Sequence, residues 1–115
     1  MIRAIFFAAS FVVASAGVAS AAEPIEGTWK RPNGTLIMYA PSGAGKYCGT
    51  VMSGEYKGKS IGCMAGAGNY YEGDVKKLDE GKTYSGNATV TGDSLKLAGC
   101  VLGGLICKSE MLARQ

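Results

Sequence analysis

The chain has 115 residues, with 12 Lys plus Arg against 9 Asp plus Glu and no His. This length sets one domain at most. The missing His removes His-based general-base, His-metal and Ser-His-Asp chemistry, and a net charge of +3 is too small to imply nucleic acid as a partner.

Met1, Ile2 and Arg3 form a short positive start. Ala4 to Val13 is apolar or small apart from Ser10, and the segment ends in Ala19-Ser20-Ala21-Ala22. This is the layout of a secretory signal peptide, with cleavage after Ala21 or Ala22. The apolar run falls short of the ~20 residues that span a bilayer. The expected organisation is therefore a signal peptide over residues 1–21 and a single domain over 22–115, in a periplasmic or secreted protein with no membrane span in the mature chain.

The remainder alternates short apolar-polar runs with turn residues about every ten positions, the rhythm of an all-β fold. The runs are Ile25–Lys30, Thr35–Ala40, Lys46–Met52, Lys59–Met64, Asn69–Lys77, Lys82–Thr91, Ser94–Val101 and Leu105–Arg114. Between them stand Pro32-Asn33-Gly34, Pro41-Ser42-Gly43, Ser53-Gly54, Gly66–Gly68, Asp79-Glu80-Gly81 and Gly92-Asp93, which supply turn chemistry. Eight short strands with many glycines predict a small antiparallel barrel, because closure removes the exposed edges of a sheet.

The hairpin from Lys82 to Val101 is the best defined. A two-residue Gly92-Asp93 loop suits II′ geometry. It pairs Val90 with Leu95, Ala88 with Leu97, Gly86 with Gly99 and Tyr84 with Val101, so that apolar residues meet on one face. The next hairpin is less regular. A strict turn at Gly103-Gly104 sets Lys108 and Glu110 opposite the inward Gly99 and Leu97, which buries charge at a cost. The expectation is a bulge or longer loop at Val101–Ile106 that turns Cys107, Ser109 and Met111 inward.

Cys48, Cys63, Cys100 and Cys107 form an even set in a short exported chain, which reads as a disulfide framework. Their spacings of 15, 37 and 7 lack the close pairs of a zinc site. Four cysteines allow three pairings. The turn at Gly103-Gly104 favours Cys100 with Cys107, which leaves Cys48 with Cys63.

Glu26-Gly27-Thr28-Trp29 contains Gly-x-Trp, and Arg114 lies near the end of the last run. This pair resembles the lipocalin superfamily, and the resemblance implies a first-strand Trp29 covered by a late-strand Arg114 at the closed end of a barrel. The ordered series IEGTWK, KYCGTV, GKTYSG, LKLAGC and GLICKS is similar to an exported bacterial family called domain of unknown function 2147. Met111 and Tyr70 depart from that family's more aromatic pattern. The family brings no established activity, so the resemblance assigns no catalytic residue.

Other motifs carry little. Ala40–Tyr47 brushes against a phosphate-binding loop but lacks its first Gly and final Ser or Thr. The acids Glu72, Asp74, Asp79, Glu80 and Asp93 are spread among turns, and Ser42, Ser85 and Ser109 have no base partner. No metal ligand set and no cofactor is assigned, and an enzyme is not favoured. Two binding roles are weighed. In the first, an open barrel lined by Tyr84, Ala88, Leu95 and Leu97 holds a small amphipathic ligand. In the second, a filled barrel contacts an envelope protein through Tyr56, Tyr70 and Tyr71 at one end. A cavity above ~300 Å³ favours the first.

Overall fold

The computed structural model describes residues 22–115. The expected signal peptide lies outside the described residues. Eight strands follow in chain order: Gly27–Lys30 (β1), Leu36–Pro41 (β2), Lys46–Val51 (β3), Ser60–Ala67 (β4), Tyr70–Lys77 (β5), Lys82–Thr91 (β6), Ser94–Val101 (β7) and Ile106–Arg114 (β8). Each pairs antiparallel with the next, and β8 returns to β1 through Trp29↔Arg114 and Lys30↔Ala113, so the sheet is a closed barrel. The all-β barrel expected from the alternation is the fold observed.

The β6–β7 ladder runs from Thr91↔Ser94 through Val90↔Leu95, Ala88↔Leu97 and Gly86↔Gly99 to Ser85↔Cys100. It stops one step short of the expected Tyr84–Val101 pair. Gly92 takes φ 59°, the positive value that the first central position of a II′ turn needs.

The β7–β8 hairpin has the expected longer loop, four residues from Leu102 to Leu105, but corrects the expected facing of β8. There is no bulge. Cys100↔Cys107, Gly99↔Lys108 and Leu97↔Glu110 are direct partners, and the loop is a kinked turn in which Leu102, Gly103 and Gly104 all take positive φ. Cys107, Ser109 and Met111 therefore do not turn inward; Lys108 and Glu110 share the face of Gly99 and Leu97. The predicted cost of buried charge does not arise, because Lys108 is exposed and Glu110 only half-buried at the open end of the barrel.

The two ends differ. One carries the chain start, the β2–β3, β4–β5 and β6–β7 turns and Arg114. Here Ile25, Trp29, Ile37, Tyr39, Leu95 and Leu112 are buried in one cluster. Trp29 is 0% exposed, and its indole N–H donates to the Ile25 carbonyl at 2.9 Å. The Arg114 guanidinium lies 4.2 Å from the centre of the Trp29 ring. It also donates to the Glu26 and Pro24 carbonyls at 3.0 and 2.7 Å, tying the chain start to its end. Tyr47 and Tyr71 meet edge to face with centroids 5.7 Å apart, a favourable aromatic geometry.

Both disulfides bridge directly paired strand residues. Cys48 is bonded to Cys63 across β3–β4, and Cys100 to Cys107 across β7–β8. Each closes a short loop, for which chain-entropy reasoning gives about 2–3 kcal/mol.

Candidate functional site

The other end of the barrel is open. The β1–β2, β3–β4, β5–β6 and β7–β8 connections surround a cavity of about 730 Å³. Its walls begin with inward strand residues. Val51, Ile61, Val75 and Leu97 form an apolar surface, and Tyr56 and Tyr84 stand nearer the rim. Small eight-stranded barrels are commonly filled by their own side chains. This one is not, and glycine accounts for part of the difference.

Gly73, Gly86 and Gly99 are successive cross-strand partners across β5, β6 and β7. A Cβ on Gly73 would strike the Cys63 carbonyl and the Met64 backbone, so that position serves close strand approach. At Gly86 the space is taken by Val75 and Met64. Gly99 is different. The nearest atoms to a Cβ there would be those of Tyr84, its Cβ at an ordinary 3.5 Å and its ring at 3.9 Å, and Gly99 itself lines the cavity. Gly99 thus leaves volume in the cup that a side chain would occupy.

The polar half of the cup is set by the straight β7–β8 register. Glu110 projects from β8 beside Leu97 and accepts two hydrogen bonds from Arg31, Nε to Oε1 at 3.1 Å and Nη2 to Oε2 at 2.8 Å. Lys108 lies one inward step nearer the mouth, opposite Gly99. On the β5–β6 turn, Lys77 binds Asp79 at 3.1 Å and Glu80 at 3.6 Å. The hydrogen bond from Lys77 holds the Asp79 carboxyl below its ordinary value and so keeps it ionised. Tyr84 donates its hydroxyl proton to Glu80 at 2.8 Å, and that bond raises the Tyr84 phenol above its ordinary value.

Tyr39 stands apart. It is 1% exposed and its hydroxyl has no hydrogen-bond partner among the described residues. Burial raises its pKa most, the Glu110 carboxylate adds to the rise, and the Arg31 guanidinium opposes it. The hydroxyl therefore feels both members of the ion pair without bonding to either.

Of the four residues proposed from sequence to line a ligand pocket, Tyr84 and Leu97 are in the cavity wall. Ala88 and Leu95 are not; both are 0% exposed in the packed cluster. Their alternation identified the inward face but not the level along the barrel axis. Lys108 and Glu110 were missed as site residues because inward charge was treated as a cost, and Arg31 because it lies just past the end of the first run. The signal was present in the strict turn register. The contact arrangement is also corrected: Tyr71 is buried, Tyr70 is 48% exposed on β5 near the closed end, and Tyr56 stands at the open end. The three do not form one surface.

Among the described residues, no group of three His, Cys, Asp or Glu side chains could hold a metal ion. No helix among them is long and apolar enough to cross a membrane. The cup combines an apolar wall, a tethered phenol and charged groups toward the mouth.

A model of the bacterial family described as "Uncharacterized protein conserved in bacteria (DUF2147)" matches residues 60–114. The match runs from β4 through β8 and bears out the family resemblance over the second half of the barrel. The motifs IEGTWK and KYCGTV lie before it. No curated protein and no solved structure matches the chain.

Proposed function

We propose that this barrel, which carries the pattern of an uncharacterised bacterial family over β4–β8, binds a small amphipathic molecule in its open cup. The observation that carries the reading is a cavity of about 730 Å³ with an apolar wall and charged groups toward its mouth. That volume lies in the range of small-molecule sites, roughly 300–1,000 Å³. The apolar body of a ligand would rest on Val51, Ile61, Val75 and Leu97. Its polar group would lie toward Lys108 and Arg31. The reading is a binding role rather than an enzymatic one.

Two disulfides suit a compartment outside the reducing cytoplasm. We place the protein in the periplasm or medium, released from a signal peptide near Ala21 or Ala22. An envelope protein-binding module with a filled barrel was the alternative, and the open cup gives it no support.

Native mass spectrometry of the protein purified from its own cells tests both parts. The expected result is a chain lacking residues 1–21 with an additional small mass that leaves on denaturation. A chain that carries no added mass and takes up no amphiphile from a cell-lipid extract would overturn the ligand reading. Retention of Met1 would overturn export with cleavage.

A further inference from the structure

We infer that the loop joining β7 and β8 docks on an anionic lipid surface. Val101, Leu102, Leu105 and Ile106 are all exposed, Leu102 by 67% and Leu105 by 84%. Loops ordinarily carry polar and turn-forming residues. A run of exposed aliphatic side chains at one tip is the kind of patch that marks an interaction surface.

Two further observations show that this tip is more than a connection. Leu102 holds φ 55°, the one positive value on a non-glycine among the described residues. A leucine is strained there, and glycine or asparagine would relieve it. An exposed side chain kept at such a position suggests a use outside the fold. In addition, the Cys100–Cys107 disulfide lies one residue pair below Val101↔Ile106. It holds the base of the loop together where no core lies beneath the tip.

Charge identifies the partner. Among the described residues at this end, Arg31 is paired with Glu110, and Lys77 with Asp79 and Glu80. Lys57, Lys59, Lys76, Lys82 and Lys108 are exposed and have no carboxylate within ion-pair distance; Glu55 and Asp74 are the two exposed acids left to set against these five. An aliphatic tip at the same barrel end as these lysines matches a bilayer whose headgroups are anionic. The apolar side chains enter the headgroup boundary while the lysines meet the phosphates. A second copy of the chain fits poorly, because end-to-end contact would set lysines against lysines. The tip forms part of the cup's rim, so docking would bring the mouth to the lipid surface. The inference rests on the tip and the lysines, and stands whether or not the cup holds a ligand.

Vesicle flotation of the purified protein tests this, with phosphatidylglycerol mixed into phosphatidylethanolamine and, separately, phosphatidylcholine alone. The protein is expected to float with the anionic vesicles, to bind phosphatidylcholine far more weakly, and to be released by high salt. The variant Leu102→Asn/Leu105→Ser should lose at least about tenfold in affinity. Its thermal midpoint should hold or rise, because asparagine tolerates the left-handed backbone. Lys57→Ser/Lys82→Ser should lose about fivefold per lysine on anionic vesicles. A Leu105→Trp variant should blue-shift its emission when those vesicles are added. Failure of the wild-type protein to float, or equal flotation of the leucine variant, would overturn the inference. So would a dimer in sedimentation that the leucine variant abolishes, since a second copy would then cover the tip.

Discussion

Arg31 and Glu110 meet across the inside of the open barrel end, guanidinium to carboxylate in two hydrogen bonds, 79 residues apart in the chain. The pair joins the β1–β2 connection to β8 near the seam where the barrel closes. It also explains how an acidic residue can occupy an inward strand position: the charge is matched and water reaches it. With side chains 35% and 30% exposed, the pair belongs with ion pairs of modest worth.

A double-mutant cycle over Arg31→Ala and Glu110→Ala, followed by urea unfolding, should therefore give a coupling of about 0.5–1 kcal/mol. The bidentate geometry favours the upper part of that range. A coupling indistinguishable from zero would mean that the pair does not secure the seam.

Arg114 should matter more. It covers the buried Trp29 ring and binds two carbonyls of the chain start. Arg114→Ala should lower stability by about 1–2 kcal/mol through lost cation–π attraction and packing. Arg114→Lys should recover only part of this, because an ammonium cannot reproduce the planar fork. Midpoints of denaturant unfolding followed by Trp29 fluorescence decide it; full recovery by lysine would reduce the contact to charge alone.

Tyr39 offers a pH test. The fold favours its neutral phenol, so the folded pKa lies above the ordinary 10.0. The corresponding stability is whole below that ordinary value and is lost as pH rises above it toward the folded pKa. Tyr39→Phe should flatten the alkaline limb of the stability curve. At neutral pH it should be neutral or mildly stabilising, since it removes a buried hydroxyl without a partner. A loss above about 1 kcal/mol at neutral pH would show that the hydroxyl makes a bond worth keeping.

The strands were legible because alternation and turn residues are local. Gly92-Asp93 fixed the β6–β7 register, and the cross-strand Gly86↔Gly99 pair followed from it. The cup was only half legible. Tyr84 and Leu97 line it while Ala88 and Leu95 do not, although all four face inward. Period-two patterning reports the face of a strand, whereas depth along the axis depends on how the other strands are staggered. Lys108 and Glu110 were misjudged for the same reason. Whether an inward charge is buried depends on whether its end of the barrel is open, and no single hairpin contains that information.

The most direct test of the ligand reading uses Gly99, where a side chain fits the backbone but takes the cup's volume. Titration with anilinonaphthalene sulfonate, an anionic amphiphile, compares the wild-type protein with Gly99→Leu, and with Leu105→Ser as a control for binding at the exposed tip. The account predicts one site per wild-type chain, unchanged affinity in Leu105→Ser, and a loss of at least about tenfold in Gly99→Leu with its thermal midpoint preserved. A folded Gly99→Leu protein that binds the probe as tightly as the wild type would contradict the claim that the cup is the binding site.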